Sequence, residues 1–457
     1  MARKPHACRL FCNCVVISAS GCGRRCEMTT LDVFLEGVED PIGELLKLDS
    51  GSLRFRYVRD DPPHPISLSM PVREEPYDDV AARAFFDNLL FENIQREQVM
   101  QRHRLEFGDT VGLLRYLGKD CPGAISVVPQ GDGPAKVPGQ FATDYDVIEN
   151  LDQIMISLRD TRRLPLETSD PSPLAGVQGK IALTRLPDGR FALPKPGLNV
   201  PTTHILKVPR RQDMRQVEHE HLLMEIMGDV QNHPVAQTSI FGEGDLQALL
   251  IKRFDRVIDG HSVRRLHQED FCQALGLGPT LKYQRAGDGE DTFSAKRVGQ
   301  LLDKLGAPAG ARQAFLEGTL VNLLLGNTDN HAKNHALLYY GPRPELAPFY
   351  DVVPTILDGS VLHQLSFDIG SACMTDDITP EDLITFVEAL GYRRMIPALK
   401  KRLGAITANI VGRIPDMRGP ARKRIGDAIA EQAQWVAAAL ELDLDIPERD
   451  LVVIVRP

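Results

Sequence analysis

The residues best suited to chemistry lie in "GNTDNHAKNHALLYY", residues 326–340, where Asp, Asn, His and Lys precede an apolar, strand-like run. Within this stretch Asp329 and Asn334 stand five positions apart. A carboxylate can orient or deprotonate a hydroxyl, and carboxylate and amide oxygens are ligands for a hard cation such as Mg2+. Asp, Asn and Gly also cluster in ordinary turns, so a structural role for Asp329 as a cap stays open.

The spacing D-x-x-x-x-N is that of a protein-kinase catalytic loop, in which the Asp acts on the hydroxyl and the Asn holds magnesium. The run "HALLYY", the turn "GPRPEL" and the run "APFYDVVPT" predict a hairpin whose second strand carries Asp351 at its end. Such a hairpin would bring Asp351 beside the loop, as a second carboxylate for the magnesium that bridges ATP phosphates. Zinc is less favoured, because no Cys accompanies His331 and His335.

A lysine and a glutamate upstream could supply the other half of a nucleotide site. Lys207 stands near the end of "HILKVP", a predicted strand, and Glu220 lies in the helix predicted to follow it. Kinases pair a strand lysine with a helix glutamate in this way. We expect Lys207 to face the cleft and to support no core packing. An edge-strand lysine and a solvated helix glutamate are the alternative interpretation.

A glycine-containing turn before the next predicted strand could cradle phosphates with its backbone N–H groups. This turn lies in "SPLAGVQGKIAL", and its candidate cofactor-binding residues are Gly176, Val177, Gln178, Gly179 and Lys180. It is not a Walker A loop, because Ile181 follows the lysine where Ser or Thr would be needed. A plain turn is the alternative interpretation.

Charge and hydropathy limit the classes of function. Lys plus Arg number 53 against 62 Asp plus Glu, a formal charge of −9, which argues against direct binding of nucleic acid over a broad surface. A local basic patch remains compatible with that balance. No stretch approaches the roughly 20 apolar residues of a membrane span, so we expect no membrane association.

The cysteines divide the chain unevenly, since five of the eight precede Met28. The few that remain are scattered, as in a reduced, cytoplasmic protein. The first 27 residues could be a weak signal peptide, a metal site or an upstream in-frame extension. Their C-x3-C-x-C-x7-C-x3-C spacing matches no zinc site, and "MTTLDVFLEG" from Met28 opens like a domain, so we favour the extension.

Hydrophobic periodicity predicts a mixed half followed by a helical half. The alternation in "LDVFLEGVEDPIGELLKLDSGSLRFRYV" predicts a small antiparallel sheet, and "DDVAARAFFDNLLFENIQREQVMQRHRL" predicts helix. Strands are expected in "KIALTRLPDGRFALP" and "QTSIFGEGDLQALLIKRFDR", with a helix at "QVEHEHLLMEIMGDV" between them. From "LHQEDFCQALGL" onward we expect almost only helices, with the opening stretch as the main interruption.

Four regions follow from these patterns. They are a non-domain extension over 1–27, a small α+β domain with its connection over 28–160, a β-rich nucleotide-binding part over 161–258, and a helical part with the catalytic loop and metal site over 259–457.

The order of six motifs resembles the HipA family of bacterial serine/threonine toxin kinases. The motifs are "SPLAGVQGK", "HILKVP", "IKRFDR", "DFCQALGL", "GNTDNHAKN" and "YDVV", and the resemblance covers about residues 30 to 450. It implies an α+β, two-lobed kinase-like fold with a small N-terminal domain and a mostly helical C-lobe, distantly related to protein and phosphoinositide kinases. The implied reaction is ATP- and Mg2+-dependent phosphorylation of a protein hydroxyl.

The resemblance also implies roles for individual residues. Asp329 would be the catalytic base, Asn334 and Asp351 would hold magnesium, and Lys207 would contact the nucleotide phosphates. The motif "RFDR" would be the hinge, which adds Arg253, Phe254 against adenine, and Asp255 near the ribose to the cofactor-binding residues. His331 and Lys333 would either touch the γ-phosphate or stabilise the loop.

Two positions depart from the family pattern. Family members often carry an autophosphorylated Ser where this chain has Pro173, with Ser172 one place earlier. Self-inactivation through that phosphoserine is therefore in doubt. Lys252 precedes the hinge Arg where an acidic residue is common, but adenine contacts there are usually made by the backbone.

The partners implied by the resemblance are a small helix-turn-helix antitoxin like HipB and, through it, operator DNA. The protein substrate would be a translation component such as an aminoacyl-tRNA synthetase, whose phosphorylation arrests growth. Two rival interpretations stay open: a kinase for a non-protein substrate, and a regulatory binding module that co-represses its operon with the antitoxin.

Overall fold

The first structural unit is an antiparallel sheet covered by helices. The computed structural model describes residues 29–90, 94–106, 108–164 and 179–457. The elements of the first unit are β1 (Thr29–Leu35), β2 (Gly43–Lys47), β3 (Leu53–Tyr57), α1 (Asp79–Phe86), α2 (Ile94–His103), α3 (Thr110–Leu117) and β4 (Ile125–Pro129). The strand order is β3-β2-β1-β4. In β3, Leu53, Phe55 and Tyr57 are buried while the arginines between them are exposed, so the alternation predicted this sheet correctly.

The second unit contains a six-stranded sheet with β9 among its inner strands. Its elements are β5 (Gly139–Gln140), β6 (Tyr145–Val147), α4 (Leu151–Thr161), β7 (Gly179–Arg185), β8 (Phe191–Pro194), β9 (His204–Val208), α5 (Arg215–Val230), β10 (Thr238–Phe241), β11 (Ala248–Lys252), β12 (Arg256–Asp259) and β13 (Ser262–Arg265). The order in the large sheet is β10-β11-β9-β7-β8-β6, and β12, β13 and β5 form a small sheet. The strands and the helix expected in this region are confirmed.

Side chains of β9 alternate between a face that packs in the core and a face that points away from it. Leu206 and Val208 are buried in a core that they share with Leu158 of α4. Because neighbouring side chains on a strand point to opposite faces, Lys207 leaves this core and faces away from it.

The third unit is mostly helical and has the largest core. Its elements are β14 (His267–Asp270), α6 (Phe271–Leu275), α7 (Ala295–Leu302), α8 (Pro308–Leu324), β15 (Ala336–Tyr339), β16 (Glu345–Leu346), α9 (Pro380–Ala389), α10 (Pro397–Val411) and α11 (Pro420–Ala439). Leu223 and Met227 of α5 are buried in the same core. Helix α5 therefore packs against the helical lobe, although it lies between strands β9 and β10 of the β-rich unit.

The expectation of almost uninterrupted helix in this lobe was wrong. Strand β14 precedes α6, and residues 276–294 and 347–379 form only short 3-10 turns and isolated bridges. Glycines explain part of this, since Gly276 and Gly289 adopt positive φ values that a helix interior does not accept. Within the described ranges, no helix has the length and apolarity that crossing a membrane requires.

The hairpin forms, but the expected second strand in "APFYDVVPT" is wrong, because the pairing strand lies within the predicted turn "GPRPEL" and residues 347–354 contain only an isolated bridge at Phe349. Strand β15 pairs with β16, which contains only Glu345 and Leu346. Asp351 lies beyond that strand, in irregular backbone with φ of 61°. The hairpin still returns the chain to the loop, and a local turn rather than a strand end presents the carboxylate.

Candidate active site

The loop after α8 is fixed by its own backbone and by the segment that follows Asp351. Gly326 has φ of 70°, and a Cβ there would lie 2.4 Å from Cγ2 of Ile356. The carbonyl of Gly326 accepts a hydrogen bond from the Ile356 N–H at 3.0 Å, and the Thr328 N–H donates to Oγ1 of Thr355 at 2.8 Å. Glycine is therefore required where the loop begins, and hydrogen bonds tie the loop to residues 355 and 356.

Asp329 and Asn334 are adjacent in space. Nδ2 of Asn334 donates to the backbone carbonyl of Asp329 at 2.8 Å, which leaves Oδ1 of Asn334 as a side-chain acceptor. The hydroxyl of Tyr283 donates to Oδ1 of Asp329 at 2.7 Å. The Tyr283 hydroxyl therefore engages Oδ1 and not Oδ2 of the Asp329 carboxylate.

Lys207 joins the two lobes. Its Nζ donates to Oε1 of Glu220 in α5 at 2.7 Å and also contacts Oδ1 of Asp351. The Lys207 side chain is only 14% exposed and that of Glu220 4%, whereas the Asp351 carboxylate is 39% exposed. Lys207 is not part of the hydrophobic core around Leu206 and Val208, but its ammonium neutralises the buried carboxylate of Glu220.

Charge complementarity opposes the effect of burial on the ionised groups of this cluster. Burial alone would lower the pKa of Lys207, but the carboxylates of Asp351 and Glu220 outweigh burial and raise that pKa above its usual value. Burial raises the pKa of Glu220, and the charge of Lys207 opposes the rise. The same lysine lowers the pKa of Asp351. A left-handed backbone is unfavourable for a residue other than Gly, so the ion pair helps to keep Asp351 in place.

A second lysine lies beside Lys207. Lys180 of β7 is directly opposite Lys207 of β9 in the antiparallel register, so both side chains leave the same face of the sheet. Burial and the neighbouring positive charge of Lys207 lower the pKa of Lys180 to about 8. A phosphate at this face would offset the repulsion between the two ammonium groups.

Of the predicted phosphate-binding turn, only Gly179 and Lys180 belong to the described residues. Gly176, Val177 and Gln178 lie outside them, as do Ser172, Pro173 and residues 1–28. A Cβ on Gly179 would lie 3.0 Å from the carbonyl oxygen of Leu158. The absence of a side chain at Gly179 thus permits close packing of β7 against α4.

His331 and Lys333 occupy different surroundings. His331 is buried beside Tyr283, and burial lowers the pKa of its imidazole while the charge of Asp329 opposes that effect. Nζ of Lys333 donates to Oδ1 of Asn88 at 2.8 Å and to Oδ2 of Asp270 at 2.9 Å. Lys333 therefore ties the catalytic loop to the N-terminal unit and to the start of α6, a geometry that favours its loop-stabilising role.

The predicted hinge residues form an ion-pair cluster of their own. Asp255 is buried, and its Oδ2 accepts from Nη2 of Arg253 at 2.9 Å and from Nη1 of Arg256 at 2.6 Å. Burial would raise the pKa of Asp255, but the two guanidinium groups outweigh it and hold that pKa well below its usual range. The ring of Phe254 packs 5.5 Å from that of Tyr350, centroid to centroid. The hinge thus packs beside the residue before Asp351, while the Asp255 carboxylate is engaged by arginines.

The donor set at the loop fits magnesium. Oδ1 of Asn334 and the half-exposed carboxylate of Asp351 are hard oxygen ligands, which Mg2+ combines with phosphate oxygens and water. Among the described residues, no group of three or more His, Cys, Asp or Glu side chains is placed to bind a metal ion. His335 instead lies between the rings of Phe271 and Phe315, where burial lowers its pKa to about 3.

Tyr283 was not anticipated as a member of the site. It lies 46 positions before Asp329, in the irregular segment 276–294. That segment has no periodicity from which its direction could be inferred. The concentration of cationic and aromatic residues in "LKYQR" was the available signal.

The protein has a β-rich lobe and a helical lobe, and Lys207 connects them by binding Glu220 of α5 and Asp351 beside the loop. These features define a two-lobed, α+β kinase-like protein. The HipA-like C-terminal domain model matches residues 172–417, and the HipA N-terminal domain model matches residues 31–128. The chain belongs to the HipA family, so the resemblance found in the sequence is confirmed.

Similar proteins agree with this assignment. The serine/threonine-protein kinase toxin HipA of Shewanella oneidensis is 30% identical over 351 residues, which cover 73% of this chain and 78% of that protein. Y4mE of Sinorhizobium fredii, named as a candidate kinase, is 32% identical over 387 residues, which cover 82% of this chain and 89% of the relative.

A solved structure confirms the predicted fold. The match is to the complex of Shewanella oneidensis HipA, HipB and operator DNA, with a TM-score of 0.72 and 28% identity. It covers 90% of this chain and 96% of the matched chain.

Proposed function

We propose that this protein is an ATP- and Mg2+-dependent serine/threonine protein kinase. The observation that carries the proposal is the double contact of Lys207 with Glu220 of α5 and with Asp351. In protein kinases the corresponding lysine–glutamate pair and metal-binding aspartate must both be in place for activity. The names of the relatives from Shewanella and Sinorhizobium support the same reaction class.

In the proposed reaction each of these residues would have its own role. Asp329 would accept the proton of the substrate hydroxyl on Oδ2, the oxygen to which Tyr283 does not donate. Asn334 and Asp351 would hold Mg2+, which supplies positive charge to the phosphate oxygens when bound. Lys180 and Lys207 would bind the nucleotide phosphates from the sheet. The fixed loop would position these groups before substrate arrives, which is the main demand of phosphoryl transfer.

We further propose that the kinase acts as the toxin of a toxin–antitoxin pair. The similarity to a HipA that was solved with HipB and operator DNA supports a small HipB-like antitoxin as partner. The net charge of −9 is compatible with DNA contact made mainly through such a partner. By the family resemblance, the substrate would be a translation component such as an aminoacyl-tRNA synthetase, modified in the cytoplasm with arrest of growth.

The test is incubation of the purified protein with γ-labelled ATP, Mg2+ and cell extract, in parallel with the Asp329→Ala variant. We expect a labelled protein band with the wild type and none with Asp329→Ala. Asp61→Ala is the matched control, because that aspartate is 87% exposed in the N-terminal unit. Expression of the same three proteins in cells should arrest growth only with the wild type and the control.

Two other outcomes would favour the rival interpretations. Label in small molecules or lipids of the extract, with none in protein, would indicate a non-protein substrate. ATP binding without any Asp329-dependent label, together with growth arrest by Asp329→Ala, would indicate a regulatory binding module.

A further inference from the structure

Tyr283 contacts the carboxylate on which the proposed reaction depends. Its hydroxyl donates to Oδ1 of Asp329 at 2.7 Å. The terminal torsion of an Asp side chain is broad, so the backbone of the loop alone does not fix the direction of the two carboxylate oxygens. A hydrogen bond to one oxygen selects that direction.

The backbone on both sides of Tyr283 is tied to the loop that carries Asp329. The carbonyl of Lys282 accepts from the Ala332 N–H at 3.1 Å, and the Gln284 N–H donates to the carbonyl of Ser366 at 2.8 Å. Ser366 in turn donates through Oγ to the carbonyl of Thr328 at 2.9 Å. Tyr283 and Asp329 therefore belong to one hydrogen-bonded frame, although the chain between them is long.

The ring of Tyr283 is held as well as its backbone. The guanidinium carbon of Arg285 lies 4.0 Å from the ring centroid, within the range of a cation–π contact. The ring of His331 lies 5.2 Å away, centroid to centroid, at an interplanar angle of 82°. These contacts orient the ring, and with it the hydroxyl that reaches Asp329.

We propose that Tyr283 is a positioning residue for phosphoryl transfer, which turns the Asp329 carboxylate so that Oδ2 meets the incoming hydroxyl. This inference rests on the proposed kinase function. Tyr283 keeps its own proton throughout and contacts neither nucleotide nor acceptor in this role. It acts on the rate of the chemical step and not on the binding of ATP.

The test is Tyr283→Phe, which removes the hydroxyl and keeps the ring between Arg285 and His331. The probe is γ-labelled ATP with the extract band labelled by the wild type, and the initial rate is measured against ATP concentration. We expect the apparent kcat to fall about 10- to 100-fold, as for a small misplacement of a catalytic group. The apparent KM for ATP should stay within about twofold, because ground-state binding is untouched. Tyr340→Phe, at an exposed tyrosine, should leave kcat and KM unchanged.

A second comparison separates positioning from a general structural role. In an Asp329→Asn background, Tyr283→Phe should cause no further loss of the residual rate, because residues that act as a unit are non-additive. The inference is overturned if Tyr283→Phe retains the wild-type kcat, if its loss is equally large in both backgrounds, or if its thermal midpoint falls along with its activity. A wild type without Asp329-dependent label would instead refute the proposed function, and this inference with it.

Discussion

Replacing Lys207 with Met removes the cation that neutralises Glu220 inside the protein. Glu220 is 3% exposed, so the variant must either keep an unpaired buried charge or protonate the carboxyl. Breaking a buried pair in this way costs about 3 to 5 kcal/mol. Protonation of Glu220 limits this cost. Over the 2.5 pH units from its ordinary pKa of 4.5 to pH 7, at about 1.4 kcal/mol per pH unit, the cost of protonation is about 3.5 kcal/mol.

The predicted loss of stability therefore depends on pH. Without Lys207, burial raises the pKa of Glu220 further, so the penalty is greatest at high pH and shrinks as pH falls toward the ordinary pKa. At pH 5 the cost of protonation is about 0.7 kcal/mol. We expect the thermal midpoint of Lys207→Met to lie well below that of the wild type at pH 7 and much closer to it at pH 5.

The double variant Lys207→Met/Glu220→Gln is the matched control. It removes both charges, so it should recover much of the thermal stability lost by Lys207→Met at pH 7. Its KM for ATP should still be higher than that of the wild type, because the lysine is absent. Thermal unfolding by circular dichroism at pH 5 and pH 7 measures the first effect, and ATP titration measures the second. Equal midpoints for Lys207→Met and wild type at pH 7, or a deficit independent of pH, would refute the reasoning.

Two further predictions concern the contacts between the N-terminal unit and the helical lobe. Glu269 of β14 is buried and accepts a hydrogen bond from the Leu68 N–H of the N-terminal unit at 3.0 Å. Burial raises the pKa of Glu269 to about 7, above its ordinary 4.5, so its contribution to stability is complete below about pH 4.5 and is lost as pH rises through 7. Relative to Glu269→Gln, the wild type should lose roughly 3 kcal/mol of stability across that window, and parallel stability curves would contradict this assignment. Asn88→Ala, which removes an acceptor from Lys333, should lower kcat about tenfold, whereas the exposed control Asp61→Ala should not; a kcat of Asn88→Ala equal to that of the wild type would exclude this role.

Local sequence patterns were sufficient to predict the site residues that lie on regular strands and helices. Alternation in β9 indicated that Lys207 faces away from the core, and helical periodicity placed Glu220 on the next element. The first strand of the hairpin after the loop was predictable from its apolar run, whereas the second strand formed inside the stretch predicted to be the turn. The features predicted correctly are set by neighbours in sequence, so periodicity was enough to find them.

Contacts between distant segments were beyond such reasoning. The direction of Lys333 depends on Asn88, which lies 245 positions earlier, and the partner of Asp329 lies in a segment without periodicity. The arrangement at Asp255 is different, because "RFDR" places both of its arginine partners within two positions. Closer attention to local charge pairing could have predicted that this carboxylate is engaged by arginine.

The bond between Lys333 and Asn88 also has a consequence for how this chain can diverge. Loss of Asn88 alone removes an acceptor from a buried ammonium, and loss of Lys333 alone leaves the Asn88 amide oxygen without that donor. Either single exchange leaves a buried polar group without one of its partners, whereas a matched exchange at both positions can restore that contact. Asn88 and Lys333 lie in the regions matched by the two different family models, and we expect the two positions to vary together among descendants of this chain. A chimera that joins the N-terminal unit of this chain to the remainder of a relative should be stable only when the residues at both positions are compatible.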